Sequence, residues 1–470
     1  MSHFLSKEEY IEFLSRILYY TSQKESVAAT FHDYYFNNEN NTAAESNLLF
    51  DLILPNGSFV LKLGKLSIEN SSDSWEIVKF IYDKSEIKEE KIKNFISGSR
   101  HKKNKTKLLL IYNGNKEQLP ACVWNKNIEL WDQKEVNILI REFLMDYEIS
   151  KMSFRENHPM AGYSSSQQES FEKDFINFNN RNIELLLNYF KRGEKNLSFV
   201  LGVGASVDLG ARKWEELLEH FNEKLKQSQF MDDPKLLSSF IGSSQIVTAE
   251  NCKNLFEATK PNSFYWELHN GIYPNKDDID LPKDTILFEI ARIIKKLSKK
   301  QTLRVLTYNY DQYLEDYLDS FQVPYKTLYD DVDFLNRDLP IFHVHGFLPR
   351  VKSSAYLKER YNRSIYLTEQ DYHNLYNDPY SWQISTQLCF YRESHCLFIG
   401  CSLVDPNIRR LLKLTKSKSN KMLTPHFAIF KRPNLSYKDL LTAYKFYADM
   451  GITTIFVEDH ADTPKLLARI

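Results

Sequence analysis

The chain has no run of about eighteen uninterrupted apolar residues, which excludes a helix that crosses a bilayer. Its 61 basic and 62 acidic residues leave a formal net charge of -1, so no overall field draws it to nucleic acid or to an anionic membrane. Cysteine is scarce. The five present, Cys122, Cys252, Cys389, Cys396 and Cys401, form no C-x-x-C pair and show no repeated metal-ligand spacing. An odd, scattered set reads as reduced and structural, so neither a disulfide framework nor a protein-bound zinc is expected. A signal peptide is not expected either, because the first nine residues carry Glu8 and Glu9 where a basic and then apolar run belongs. These absences together imply a cytoplasmic protein with no membrane partner. No internal repeat at solenoid periods stands out.

What is present is a globular composition, with 42% hydrophobic and 26% charged residues over 470 positions. That length implies two or three domains. The clearest break lies at 154–168, where a helical pattern gives way to Asn157-His158-Pro159, Gly162 and the run Ser164-Ser165-Ser166-Gln167-Gln168. Polar composition with Pro and Gly marks a linker. Residues 1–153 then read as a small α/β domain. A helix is expected over Lys7 to Tyr20. Leu48–Leu54 and Phe59–Leu63 are short apolar runs around Pro55-Asn56-Gly57, which suggests a hairpin. Lys107–Tyr112 and Ile128–Trp131 look like buried strands, and a helix over Val136–Met145 closes the domain.

Residues 169–470 follow a different grammar, in which short apolar strands alternate with amphipathic helices. The strands are expected at Leu197–Leu201, Leu303–Thr307, Ile341–Val344, Cys396–Gly400, Phe427–Phe430 and Thr453–Val457. Such alternation implies a mostly parallel, Rossmann-like sheet covered on both faces. The block from about 213 to 300 is too long for one crossover and reads as an inserted helical subdomain.

Four motifs fall at the ends of these strands. Gly202-Val203-Gly204-Ala205-Ser206 opens the first, where glycines let the backbone approach a pyrophosphate and a helix N-terminus offers free N–H groups. A ligand-free tight turn would use the same glycines. Thr307-Tyr308-Asn309-Tyr310-Asp311 follows the second strand, so that Asn309 and Asp311 would hold a ribose or a water, or would cap a helix. His343-Val344-His345-Gly346 ends the third, and alternation points both imidazoles to one side. Gly400-Cys401-Ser402 ends the fourth, ahead of a helix opened by Asp405-Pro406, a pair that also suits an N-cap.

In this order and at these positions, the set resembles the sirtuin-like family, whose pattern runs Gly-Ala-Gly-x-Ser, Thr-x-Asn-x-Asp, His-Gly and Gly-x-Ser. Asn407-Ile408-Arg409 and Ser364-Ile365-Tyr366-Leu367-Thr368 look closest to its bacterial anti-phage defence branch. The resemblance implies NAD as substrate. Gly202, Gly204, Ala205 and Ser206 would line its pyrophosphate, and Thr307 and Tyr308 would lie beside it. Asn309 would place the nicotinamide ribose and a water, Asp311 would hold the nicotinamide side or the loop, and His345 would be catalytic. Gly400 and Ser402 would meet the adenosine ribose or a phosphate.

Three departures count against protein deacylation. No zinc module of two cysteine pairs follows His345-Gly346. Arg212-Lys213-Trp214-Glu215 replaces Pro-Asp-Phe-Arg, and Tyr308 replaces the usual Gln. The implied function is an NADase effector that cleaves the nicotinamide–ribose bond in abortive infection. Its rivals, in order, are a non-catalytic NAD or ADP-ribose sensor and a deacylase. An unregulated NADase would be toxic, so control is expected from homo-oligomerisation, a motor ATPase or a phage-derived activator.

The first domain resembles a degenerate restriction-endonuclease-like fold. Asp51 and Lys62 fit that pattern, but Val60 stands where a second acid belongs, and one carboxylate is a poor magnesium site. A catalytic nuclease is therefore the least supported reading, and an unrelated small α/β domain fits as well. Arg100 to Lys105 is locally basic and would give a weak route to nucleic acid, although Glu86, Glu89 and Glu90 dilute it.

Overall fold

The computed structural model describes residues 7, 9–11, 13, 14, 17, 52–53, 60–63, 66–69, 75–87, 89–90, 107–125, 128–154, 165–192, 196–228, 232, 244–260, 263–274, 281–298, 302–329, 338–350, 365–378, 380–417 and 426–470. Contacts divide the chain into two units. Unit 1 is drawn mainly from Met1–Arg192 and Pro433–Ala448, and unit 2 from Gly193–Lys418, Leu423–Arg432 and Asp449–Ile470. Of the expected linker, 155–164 lies outside the described residues, as do Asp51, the Pro55–Gly57 turn, Ser364 and the basic segment 100–105.

Unit 1 is built on a sheet of order β1-β4-β5-β6, with β1 Leu52–Ile53, β4 Trp75–Ile81, β5 Lys107–Tyr112 and β6 Ile128–Trp131. β1 runs antiparallel to β4, and the other pairs are parallel. The hairpin expected between Leu48–Leu54 and Phe59–Leu63 is not formed among the described residues. β2 (Val60–Leu63) pairs instead with β3 (Leu66–Glu69), while β1 joins β4. In the register Leu63↔Leu66, β2 pairs with the strand that directly follows it, which leaves β1 to pair with β4. Tyr10, Phe13, Leu14 and Ile17 recur at i, i+3, i+4 and i+7. They bury the first helical segment against Phe80, Leu109, Ile111 and Trp131, and the Tyr10 hydroxyl donates to Ile111 O at 2.9 Å. α1 (Gln133–Glu142) starts on a capping box made by Asp132 and Glu135. α2 (Leu144–Phe154), α3 (Ser165–Arg192) and α12 (Tyr437–Ala448) pack together, with the Phe178 and Tyr444 rings 4.6 Å apart.

Unit 2 carries a seven-stranded, wholly parallel sheet of order β13-β12-β11-β7-β8-β10-β9. In chain order these are β7 Asn196–Leu201, β8 Thr302–Thr307, β9 Tyr325–Leu328, β10 Leu339–His343, β11 His395–Ile399, β12 His426–Lys431 and β13 Ile452–Val457. β11 and β13 are buried along their whole length, as a sheet covered on both faces requires. From β7 the chain moves one way to β8 and out to β9 at the edge, inserts β10 between those two, then crosses to β11 and moves the other way. The topological switch point therefore lies between β7 and β11.

The expected helical insert is present between β7 and β8. α4 (Trp214–Gln227), α5 (Gln245–Thr259) and α6 (Ser263–Ile272) pack on one another around Phe221, Phe256 and Phe264. The last helix of the stretch, α7 (Ile286–Leu297), packs instead on α8 (Tyr313–Ser320) and α13 (Asp462–Leu467). Its buried stripe is Ile286, Leu287, Ile290, Ala291, Ile293, Ile294 and Leu297. α9 (Glu369–Asn377), α10 (Trp382–Glu393) and α11 (Pro406–Ser417) complete the unit. Among the described residues no helix is long and apolar enough to cross a membrane.

At the switch point the two glycine turns touch. A Cβ on Gly202 would lie 2.6 Å from Gly400 O, and one on Gly204 would lie 2.8 Å from Gly400 Cα. Gly400 itself has φ +68, and a Cβ there would meet Ala205 N at 2.2 Å. Gly451 has a similar φ of +80 but nothing within 4 Å. The two separate backbone strain from crowding. Gly451→Ala is expected to cost about 1 kcal/mol and Gly400→Ala about 2–4 kcal/mol, as measured by urea unfolding. Equal losses would show that the turns are free to move apart.

Candidate functional site

The sheet register brings the motifs to one level. Ile399 lies opposite Leu201, Leu201 opposite Thr307, and Thr307 opposite His343, so four strands end side by side. Their loops then interlock. Gly202 N donates to Ile399 O and Gly204 N to Gly400 O. Tyr308 N donates to Leu201 O, and Val344 N to Thr307 O.

Beneath this crest is a buried polar chain. The Asn309 backbone N–H donates to Thr307 Oγ1 at 3.0 Å. Asn309 Nδ2 donates to Gly202 O and to Ser206 Oγ, both at 3.1 Å, which commits both amide hydrogens. Ser206, fully buried, passes its own hydrogen to Asp311 Oδ1 at 3.1 Å. Asp311 Oδ1 also accepts from Tyr313 N as α8 begins. His343 Nδ1 lies 2.9 Å from Asn309 O, and its Nε2 lies 2.9 Å from Glu315 Oε1, which also accepts from Thr327 Oγ1 at 3.0 Å. Ser206, Thr307, Asn309, Asp311, Glu315 and His343 supply the polar lining of a cavity of about 10 Å³, room for a single water and far too small for a dinucleotide.

His345 stands apart from that chain. β10 ends at His343, so alternation does not extend to His345, which lies in the following turn, and the two rings face different neighbours. His343 meets Phe347, whereas His345 is flanked by Tyr308 at 4.9 Å and Tyr372 at 5.5 Å, both edge to face. The Tyr308 hydroxyl donates to Gln387 Oε1 at 2.7 Å and lies against the Tyr391 hydroxyl, so its ring is held. Burial lowers the His345 pKa to about 4, with Asp405 pulling weakly the other way. Its Nε2 is buried and has no hydrogen-bond partner among the described residues. Ser402 is exposed, and Asp405 accepts from Asn407 N at 2.8 Å, the N-cap expected from Asp405-Pro406.

The structure thus gathers Gly202, Gly204 and Gly400 by backbone contact, Ser206, Asn309 and Asp311 by hydrogen bonds, and Tyr308 with His345 by ring packing. Glu315, Thr327, Gln387 and Tyr391 join them without having been singled out in the sequence. Glu315 carries no sequence signal of its own, because burial runs unbroken from Tyr313 to Leu318 and sets no face of α8 apart.

This is a Rossmann-like α/β architecture with its polar crest at the C-terminal strand ends, where such sheets bind nucleotides. Residues 303–455 match the model of the SIR2-like domain, a span that holds the Asn309, His345 and Gly400 motifs and begins after the Gly202–Ser206 loop. The chain is also similar to the NAD(+) hydrolase ThsA of Bacillus cereus (strain MSX-D12). The two are 20% identical over 305 residues, covering 61% of this chain and 57% of that protein.

Burial raises the Asp311 pKa to about 6, against the Ser206 hydrogen bond and the nearby His343, which both pull it down. A carboxyl with a raised folded pKa holds its proton more tightly folded than unfolded. Its ionisation therefore costs stability as pH rises from about 4 to about 6. Asp311→Asn removes that cost and keeps an acceptor for Ser206. The variant is expected to be more stable than wild type by about 1–3 kcal/mol at pH 7.5, with the gap closing by pH 4 in urea titrations. A gap independent of pH would mean that Asp311 is not a buried charge.

Proposed function

We propose that unit 2 cleaves the nicotinamide–ribose bond of NAD with water as acceptor. The observation that carries this reading is His345: a buried imidazole, neutral at physiological pH, whose Nε2 has no partner among the described residues and which follows a strand end adjacent to the one that carries the Asn309 loop. An orphaned buried ring nitrogen costs about 1–3 kcal/mol. That cost is understandable where a ligand or water completes the bond. The SIR2-like match and the likeness to ThsA, whose name describes an NAD(+) hydrolase, support the same reading.

Nicotinamide leaves as a neutral molecule from a cationic glycoside, so the ribose carbon passes through an oxocarbenium-like state. Water then attacks that carbon, and its proton passes to a base. His345 is in the form that can accept it. Asn309 has no amide hydrogen left to donate, so its Oδ1 would act as the acceptor that orients a water or a ribose hydroxyl. In the same reading Gly202, Gly204, Ala205 and Ser206 present the pyrophosphate side, Thr307, Tyr308 and Asp311 shape the loop beside it, and Gly400 and Ser402 present the adenosine side. Because Gly202, Gly204 and Gly400 already fill the space between the two turns, NAD would lie over them rather than between them.

A second reading, an NAD or ADP-ribose sensor without turnover, draws on those same glycines, whose contacts explain them without catalysis. Nicotinamide release from purified protein separates the two. His345→Ala and Asn309→Ala are each expected to lower release about a hundred- to ten-thousand-fold while NAD still binds by calorimetry. Binding without release, by wild type in every tested state, would favour the sensor. Within cells, the proposed role is abortive infection, with unit 1 sensing a trigger or directing assembly. Phage challenge is expected to deplete NAD in cells carrying the wild type and to spare it in cells carrying His345→Ala.

A further inference from the structure

The pair Glu315–His343 lies below the proposed site, and nothing in the NADase reading uses it. Both side chains are essentially inaccessible, with 2% and 1% of their surfaces exposed. A buried acid facing a buried imidazole is costly to keep, the more so because Glu315 Oε2 has no hydrogen-bond partner among the described residues. The atoms fix where the protons must be. His343 Nδ1 faces the main-chain carbonyl of Asn309, which can only accept, so Nδ1 carries a hydrogen. His343 Nε2 faces Glu315 Oε1 at 2.9 Å, and that contact also needs one hydrogen between its atoms, whichever of them holds it. Thr327 donates to the same Oε1 and fixes the carboxyl from β9. His343 therefore has both nitrogens committed and is no free base, whereas His345, two residues on, has a nitrogen with no partner among the described residues.

We infer that Glu315 and His343 are positioning residues for Asn309, and this inference rests on the NADase reading of the same site. The carboxyl of Glu315 holds the proton-bearing tautomer of His343, and Nδ1–H of His343 holds the carbonyl of Asn309. That carbonyl belongs to the residue whose amide spans to Gly202 O and Ser206 Oγ. The chain of bonds thus runs from the β9 edge, through α8 and β10, to the loop after β8 and on to the glycine loop after β7. With the main chain of Asn309 held from below and its two amide hydrogens held from the side, Oδ1 is the one polar atom of the side chain left to meet a substrate hydroxyl or a water. A positioning role predicts loss of turnover without loss of binding, because the glycine loop does not touch the pair.

The test uses the full chain and two substitutions at Glu315. Glu315→Gln retains a hydrogen between the two side chains, since its amide N–H donates to Nε2 and keeps Nδ1–H on Asn309 O. Glu315→Met has nearly the same shape and makes no such bond, so the His343 ring loses the anchor at Nε2 that fixes its angle and is free to tilt away from the Asn309 carbonyl. Nicotinamide release by Glu315→Gln is expected to keep kcat within about threefold of wild type. Glu315→Met is expected to lose about ten- to a hundredfold in kcat, with KM for NAD changed by less than threefold. Equal kcat for the two variants, or a change in KM alone, would overturn the inference. Crystal structures of both variants decide it independently of activity. The inference requires that the 3.1 Å bonds from Asn309 Nδ2 to Gly202 O and Ser206 Oγ survive in Glu315→Gln and are broken or displaced in Glu315→Met. Undisturbed bonds in Glu315→Met would overturn it even if the wild-type protein releases no nicotinamide, and that last result alone would instead remove the NADase reading. If Glu315→Met fails to fold, Thr327→Val combined with Glu315→Gln replaces it. That double variant removes the partner that orients the Gln amide, and wild-type kcat in it would likewise overturn the inference.

Discussion

Everything at the crest of the parallel sheet depends on how closely the backbones after β7 and β11 approach each other. Three glycines stand at that crossing, out of only 14 in the chain, and each would bring a Cβ within 3 Å of the opposing main chain. Gly400 also needs a left-handed φ that other residues adopt only with strain. The approach places Gly400 O where Gly204 N can donate to it and leaves Gly202 O turned toward Asn309. The Asn309 amide can bridge the second and first motifs only because the third glycine, about two hundred residues away in sequence, lets their loops settle there. At most switch points the loops diverge and leave a crevice. Here contact replaces the crevice, so a ligand would meet the outer face of the glycine pair.

That contact also explains why the glycine motifs were open to two readings in the sequence. A strand that ends in glycine signals close approach, but not whether the approaching group is a phosphate or another peptide. The structure supplies a peptide on one side, which accounts for the glycines and leaves ligand binding to be argued from the side chains around them.

Much of unit 2 was legible because its strands are buried on both faces. A run such as Cys396-Leu397-Phe398-Ile399 has no polar face, and the glycine or asparagine after it marks the end. β9 escaped notice for the opposite reason: Tyr325-Lys326-Thr327-Leu328 is a short edge strand, half-exposed, with no apolar run. In unit 1 the hairpin was misplaced because Pro55-Asn56-Gly57 is a stronger local turn signal than Gly64-Lys65, yet pairing is decided by the strands that find partners. The candidate site divided in the same way. Residues within a motif, such as Asn309, Asp311 and His345, could be named in advance because a strand end fixes their place. Glu315, Thr327, Gln387 and Tyr391 come from elements that only the strand order brings together, and no local pattern marks them.

The electrostatics of His345 narrow what the proposed reaction can ask of it. Burial depresses the pKa of this tyrosine-flanked imidazole to about 4, and a base that weak holds a proton poorly at neutral pH. Driving force from basicity is therefore small, and a reaction that needed a strong base would be badly served here. Departure of nicotinamide has no such need. The leaving group is already positively charged, and the carbon it leaves is so electron-poor that a water molecule needs placement more than deprotonation before attack. A weak base enclosed by aromatic rings, with an asparagine in the neighbouring loop whose amide hydrogens are committed, suits that requirement. The same enclosure would penalise a reaction in which a bulky acceptor had to reach the imidazole, because Tyr308 is fixed through its hydroxyl by Gln387 and does not swing aside without breaking a buried hydrogen bond. On the proposed reading, the balance between hydrolysis and transfer to a larger acceptor is thus set by a tyrosine's anchor as much as by the histidine it covers.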